Sequence, residues 1–520
     1  MIHPTDTPQQ VLERVAALVA AGADPAAAGP LLVAKLRLAG VYDDRQEGFF
    51  MLRTRIPGGR LGADQADVVA GVAERHSVRP DGAEGPDRFV EVTTRQGIQL
   101  HWIRFEDLPE IWLRYGQVGL TSLEACGDTL RNVTCCPLAG LDADEAVAAA
   151  PVVAAVNQAG LAEPELSAFL PRKFKVAVTG CRTDCVLAGL PALAFTPARR
   201  GSVSGFNVLA GGGLSDYPRL ASPLDLFVEP AQVPECVRAA LLFYRDQGDV
   251  EYKATNRFRR LVHELGPEQV GREVRARLSF RAAPAGEGLG DGRAEDHLGV
   301  RHERRPGRVS VGLCVPRGRL VAAELAELAR LAREYGDGEL RLTQRQDVVL
   351  ASVREDRLPE VFDETLLSRL RPEPDPFDRA IVACTSAPFC KFGIVDAKAR
   401  GAELAEYLRR TVPRSAWPRL SGLRVHVSGC KASCAQTQAG HVGLRGAIAR
   451  DERGLGEGFD LAIGGDPGAG RLGAWAAAAE PVEDAFAHVS RLVQAFADDP
   501  RGLAAAVADA RAAALEGNGP

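Results

Sequence analysis

Apolar positions along the chain switch between two periods, and each switch marks an element. In VSVGLCV (309–315) and FVEVTT (89–94), apolar and β-branched residues alternate or run together, as they do in strands. In LVAAELAELARLAREYG, apolar residues recur every three to four positions and stop at Gly336, which predicts a helix ended by glycine. Shorter helices are expected to start near LPE at 108 and 358. The unit is thus strand, helix, strand, short helix. At the N-terminus a polar start passes into VLERVAALVAAG, a short amphipathic helix. It lacks the basic head and apolar run of a secretory leader, so none is expected. The longest apolar runs, such as AWAAAA near residue 474, are too short to span a bilayer.

These elements occur twice. RIPGGRL from Arg55 returns as CVPRGRL from Cys314, and VEVTTRQGIQLHWIRFEDLPEIW from Val90 as LRLTQRQDVVLASVREDRLPEVF from Leu340. LPRKFKVAVTGCRTDC, ending at Cys185, returns as WPRLSGLRVHVSGCKASC, ending at Cys434, and GFNVLAGGG from Gly205 as GFDLAIGGD from Gly458. Four blocks in one order, shifted by about 250 residues, indicate a duplicated protein with pseudo-twofold halves, and such interfaces commonly hold ligands. The Gly- and Pro-rich stretch FRAAPAGEGLGDG reads as part of a linker, which places the connection between the halves at about 280–306.

Composition narrows the function classes. The formal charge of −5 gives no reason to expect nucleic-acid binding, yet Arg and Lys fall inside the repeated blocks, which suggests an anionic ligand. Eleven cysteines without a leader point to the cytoplasm, and to metal or redox chemistry more than to disulfides. The second half carries Cys384-x5-Cys390 and Cys430-x3-Cys434. Four soft thiolates suit the irons of a 4Fe–4S cluster, and an x5 spacing is wider than usual zinc knuckles; buried inert cysteines are the plain alternative. The first half keeps the x3 pair as Cys181 and Cys185 but has the adjacent Cys135 and Cys136 in place of the x5 pair. Adjacent cysteines do not mirror the other half's ligands by spacing, so Cys181 and Cys185 read as a relic or packing feature. One cluster per chain is expected. GAGRLG from Gly468 and GGG at 211–213 lack the strand–GxGxxG–helix setting of a dinucleotide site, so electrons are expected from a separate protein.

The strings MLRTRIPGG, VTTRQGIQLHWIR, CGDTLRNVTCCPLAG, LPRKFK, GFNVLAGGG, GHVGLRG and the two cysteine pairs span roughly residues 45–470. Together they resemble the nitrite and sulfite reductase hemoproteins, the siroheme and 4Fe–4S enzymes. The resemblance implies an α+β fold of pseudo-twofold duplicated α/β halves, in a three-domain architecture with siroheme between the domains. The expected boundaries are an N-terminal helical extension (1–45), a ferredoxin-like half-domain (46–118) and a first siroheme-binding α/β domain (119–290). A second half-domain (306–372) and an iron–sulfur and siroheme-binding α/β domain (373–515) follow.

The same resemblance assigns residues. Cys384, Cys390, Cys430 and Cys434 match the cluster ligands, and Cys434 matches the cysteine that also ligates the siroheme iron. Arg53, Arg131, Lys173 and Lys175 match the basic residues around the substrate anion. Arg55, Arg95, Gln99 and His101 lie in siroheme-contacting strings, although a lone histidine such as His101 is also a common core residue. Siroheme has many carboxylates and needs converging cations. Two departures stand out: Asp466 occupies a position where the family often carries asparagine, and Lys391 and Phe392 follow the second ligand where small residues are common.

The resemblance leaves the substrate divided. PLAGLD (137–142) resembles the nitrite enzymes, while Lys175 resembles the sulfite enzymes, since plant-type nitrite reductases carry asparagine there. The expected reaction is six-electron reduction of nitrite to ammonia with electrons from ferredoxin or, second, a flavoprotein. Sulfite reduction to sulfide is the alternative, and a precorrin-3B synthase-like enzyme the further one. An iron–sulfur carrier without catalysis would not need so many motif cations. No membrane or nucleic-acid partner is expected.

Overall fold

The computed structural model describes residues 6–23, 29–248, 256–452 and 454–500. Residues 1–5 and 24–28 of the N-terminal extension and 501–515 of the last expected domain lie outside them. The described residues divide into two compact units. The first lies within Met1–Gly213, Ala221–Leu313 and Arg319–Pro372, and the second within Leu214–Leu220, Cys314–Gly318 and Glu373–Pro520. No described helix is long and apolar enough to cross a membrane.

The first unit opens with the helix Pro8–Ala20, whose start is closed by a capping box between Thr7 and Gln10. It then builds two matching five-stranded sheets. In one, Phe49–Thr54 pairs with Ile98–Arg104, which pairs with Phe89–Val92. In the other, Arg308–Leu313 pairs with Val348–Arg354, which pairs with Glu339–Leu342. The repeat is therefore strand, helix, two-stranded hairpin and helix. FVEVTT, the strand expected ahead of the short helix, is the first arm of a hairpin with Ile98–Arg104, turned at Thr93–Gly97 where the Thr93 amide donates to Gly97 O (2.9 Å). The helices Ala63–His76 and Ala322–Tyr335 each present an apolar face, the second ending at Gly336 as its periodicity predicts.

Each sheet is completed by a strand from the other repeat. Arg319–Val321 pairs antiparallel with Phe89–Val92, and Arg60–Gly62 pairs with Glu339–Leu342. Two glutamines at corresponding repeat positions stitch this exchange: Gln96 Nε2 donates to Leu342 O (2.8 Å) and Gln346 Nε2 to Val92 O (3.1 Å). Gln96 also accepts from the Cys135 amide (2.8 Å). At Gly59, φ is +73° and a Cβ would stand 2.3 Å from Leu342 O, so only glycine fits beside this crossing. Gln96→Ala leaves two buried backbone groups unpaired and is expected to cost about 2–4 kcal/mol. The guanidinium midpoint checks this, and an unchanged midpoint would show that the stitch carries no stability.

The remainder of the first unit is an α/β layer. Its sheet runs Ser222–Val228, Val203–Ala210, Leu193–Arg200, Val176–Val178, Thr134–Cys135, antiparallel at first and parallel at the last two pairings. Phe174, Phe195, Phe206, Phe243 and Tyr244 fill its core against the helices Ala150–Ala162 and Val233–Gln247. The expected linker at 280–306 is a structured strap instead. Glu287–Gly288 pairs with Leu193–Arg200, Gly299–His302 pairs with Arg308–Leu313, and His297 is buried. Glycine and proline there serve close packing: a Cβ on Gly286 would stand 2.5 Å from Arg199 O.

The second unit repeats that sheet. Ile381–Ala383, Val425–Ser428, Val442–Asp451, Gly454–Ile463 and Ala474–Pro481 lie in order, the first two pairings parallel and the rest antiparallel. The helices Ala397–Thr411 and Val482–Asp498 bury Leu404, Leu408, Val489 and Val493 in its core. AWAAAA is its edge strand.

Candidate functional site

The second unit gathers the four cysteines of the two pairs. Cys384 follows the strand Ile381–Ala383, and Cys430 and Cys434 follow Val425–Ser428, which pairs parallel to it. Parallel neighbours release their chains at the same sheet edge, so both cysteine loops start side by side. The loops are tied: Ile394 N–H donates to Gly429 O (2.8 Å), and Gly429 N–H donates to Cys384 Sγ (3.2 Å). A Cβ on Gly429 would fall 1.5 Å from Ser386 Oγ, so this approach requires glycine. Amides also point at other sulfurs, those of Phe392 and Gly393 at Cys390 and that of Ala432 at Cys430. Burial, then the neighbouring thiols, pushes the Cys384, Cys390 and Cys430 thiols up, while Cys434 is exposed. Mutually repelling thiols, several receiving amide N–H groups, are what a cationic iron–sulfur centre needs as ligands. The donor set fits the cluster.

The first unit gathers cations. Arg53, on the strand Phe49–Thr54, donates through Nη2 to Gln99 Oε1 (2.6 Å) and through Nη1 to Ala125 O (3.4 Å). Arg131 is buried and donates through Nε to the same Ala125 O (2.8 Å), so one carbonyl holds both guanidinium groups together. Arg95 donates to Asn132 O (3.2 Å). Its pKa is pulled down to about 9 by burial and then by the charges of Arg131 and Arg53. Burial and then Arg53 also lower that of Arg131. Arg55 is fully buried; Nε donates to Asn157 Oδ1 (2.6 Å) and Nη1 to Leu130 O (2.8 Å), while Nη2 has no partner among the described residues. Burial brings the Arg55 pKa down to about 10. Buried guanidinium groups gathered this closely call for an anionic ligand, and a polycarboxylate ring fits them.

Lys173 and Lys175 flank the core residue Phe174. The regular strand starts only at Val176, but Phe174 pairs in parallel with Leu130, its amide donating to Thr129 O (2.9 Å) and its carbonyl accepting from Arg131 N–H (2.9 Å). Arg131 and Lys175 are thus the residues that follow the bridged pair Leu130 and Phe174. His101 and Gln99 lie on the strand Ile98–Arg104, both buried. Gln99 bridges Arg53 and His101, with Nε2 3.4 Å from His101 Nε2. His101 Nδ1 lies 3.1 Å from Asp44 Oδ1, and its ring stacks on Phe89. The imidazole is thus held by an internal carboxylate.

Sequence reading missed two further polar groups. Gln344 and Arg345 are the repeat mates of Thr94 and Arg95, and Gln344 Nε2 is buried without a partner among the described residues. The repeat alignment was the available signal. Asp466 receives Arg424 Nη2 (3.0 Å) and lies 3.6 Å from Arg471 Nη2. A carboxylate at this position therefore neutralises cations that asparagine would leave charged.

The family model for the ferredoxin-like half domain of nitrite and sulfite reductases matches residues 42–116 and 302–367. The model for the nitrite and sulfite reductase 4Fe–4S domain matches residues 126–281. The chain is 38% identical over 485 residues to the assimilatory ferredoxin-dependent nitrite reductase of Haloferax mediterranei, covering 89% of this chain and 82% of that protein. It is 37% identical to the ferredoxin–nitrite reductase of Leptolyngbya laminosa, with 84% of each chain covered. The solved structure of the Mycobacterium tuberculosis NirA protein superposes with a TM-score of 0.84 at 25% identity, covering 95% of this chain and 92% of that one. With its duplicated half domains, cation cluster and thiol group, the chain belongs to the nitrite and sulfite reductase family, whose members carry siroheme and a 4Fe–4S cluster.

Proposed function

We propose that this oxidoreductase reduces nitrite to ammonia in a six-electron reaction, with ferredoxin as the electron donor. The observation that carries the reading is its likeness, over 81–89% of the chain, to proteins named as ferredoxin-dependent nitrite reductases. Cytoplasmic placement accords with its eleven cysteines, whose chemistry needs reduced thiols.

In this reading Cys384, Cys390, Cys430 and Cys434 hold the cluster, and Cys434 also ligates the siroheme iron. Arg55, Arg95, Gln99 and His101 serve the siroheme pocket. When bound, the cluster would relay the donor's electrons and siroheme would supply the iron for the anion. Arg53, Arg131, Lys173 and Lys175 do the rest. They offset the anion's charge, orient its oxygens and place N–H donors where oxygen leaves as water. The convergence of Arg53, Arg95 and Arg131 supports a single anion-binding region served by both groups.

Lys175 is the feature that favours sulfite as a second substrate. Purified holoenzyme with reduced ferredoxin is expected to form ammonia from nitrite, with a kcat/KM at least about tenfold above that for sulfide from sulfite, a difference of about 1.4 kcal/mol in transition-state binding. The reverse ratio would overturn the nitrite assignment. Missing siroheme absorption bands would instead favour the corrin-ring enzyme.

A further inference from the structure

We infer that the first unit contains a second metal site, a single tetrahedral ion of the zinc class held by Cys136, Cys181, Cys185 and His297. Sequence spacing set Cys135 and Cys136 aside as a mismatch and read Cys181 with Cys185 as a relic or packing feature; the sheet register puts Cys136 in step with Cys384. Cys135 pairs with Val178 as Ala383 pairs with Val427. Cys136 therefore leaves its strand where Cys384 leaves the corresponding one, and Cys181 and Cys185 follow Val176–Val178 as Cys430 and Cys434 follow Val425–Ser428. Even the glycine is shared: a Cβ on Gly180 would fall 1.7 Å from Val147 O, as one on Gly429 would strike Ser386. Three of four cluster positions persist as cysteine, and the counterpart of Cys390 is missing.

What has changed is the spacing and the fourth donor. The three sulfurs lie within 4.8 Å of one another and are all buried. An iron–sulfur cube holds its ligand sulfurs apart by its own width, so these stand too close for one. A single ion with Zn–S bonds of about 2.3 Å in tetrahedral array sets sulfurs about 3.8 Å apart, and sulfur from a ligating imidazole nitrogen about 3.6 Å apart. His297 Nε2 lies 3.6 Å from Cys136 Sγ. It comes from the strap between the sheets, is 3% exposed, and its Nδ1 is buried with no hydrogen-bond partner among the described residues. Three mutually close thiols buried in the apolar core, with a buried imidazole against the first of them, supply the Cys3His complement of a usual structural zinc site. The ion would pin the strap to the sheet without redox change. Copper(I) and iron(II) share part of this ligand chemistry, and the metal count separates them.

The test is elemental analysis of the chelator-washed holoenzyme, together with anomalous scattering at the zinc edge. About one zinc per chain is expected beside about five irons, four from the cluster and one from siroheme. Cys181→Ser should lose most of the zinc while iron content and the siroheme spectrum stay unchanged. Should that variant fail to fold, the wild-type count and the anomalous peak still decide. No zinc in the wild type, a Cys136–Cys181 disulfide by mass spectrometry, zinc retained in Cys181→Ser, or about eight or nine irons would each overturn the inference. None of these readouts depends on whether nitrite or sulfite is the substrate.

Discussion

Cys434→Ser is expected to abolish turnover and to remove the coupled cluster–siroheme signal from the EPR spectrum of the reduced protein. The reason is ligand chemistry: a serine hydroxyl is a hard, weakly acidic donor, and the iron of a cluster is held by soft thiolate. Cys434 is exposed, and the loop around it is held by other groups. Ser433 Oγ donates to Gln438 Oε1 (2.9 Å) and accepts from Thr437 N–H (3.0 Å), while the Ala435 amide donates to Ser428 Oγ (3.1 Å). Losing one exposed sulfur atom therefore removes no core packing, and circular dichroism should match the parent. Iron should fall from about five per chain toward one or none. Cys181→Ser is the control, because it removes a cysteine from the corresponding loop of the other sheet without touching the cluster. A Cys434→Ser protein with full iron, coupling and activity would show that the cluster has other ligands.

The contrast between those two cysteines shows what sequence can and cannot reveal. The second-half set is legible because its four cysteines fall in two close pairs, Cys384-x5-Cys390 and Cys430-x3-Cys434. The first-half set is illegible for two physical reasons. Cys135 and Cys136 are neighbours, and only the strand register, with Cys135 opposite Val178, tells which of them leaves the sheet at the ligand position. His297 is 112 residues beyond Cys185, in a Gly- and Asp-rich stretch with no period to read. The duplication itself was legible, since repeated strings such as VTTRQ and LTQRQ carry it. The strand exchange was not, because Arg60–Gly62 and Arg319–Val321 are three residues long, too short to show alternation. The second arm of the hairpin at Thr93–Gly97 was hidden for a related reason: TTRQG is a turn without proline or an Asn-Gly pair. Among the expected site residues, Arg53, Arg95 and Arg131 come from separate strings, and it is folding that sets the first and last on the carbonyl of Ala125.

That carbonyl makes Arg131→Ala the most informative change in the cation group. Ala125 O fixes Nε of Arg131 and leaves the rest of the fork for an anion. Deleting the side chain removes a charge-assisted hydrogen bond worth roughly 1.5–3 kcal/mol. If that bond persists in the transition state, kcat/KM for nitrite should fall about 10- to 150-fold with the cofactor spectrum retained. Arg131→Lys keeps the charge but not the planar fork, so it should recover only part of the loss. Lys175 follows Phe174, which bridges in parallel to Leu130, the residue before Arg131, and its substitution addresses choice of substrate. A doubly charged, three-oxygen anion gains more from an added ammonium than a singly charged, two-oxygen one. Lys175→Asn should therefore lower sulfite turnover more than nitrite turnover, which steady-state kcat/KM on both anions measures directly. Equal losses would mean that Lys175 supplies charge to the cavity without setting its preference, and a larger loss on nitrite would place the ammonium on the oxygens that leave.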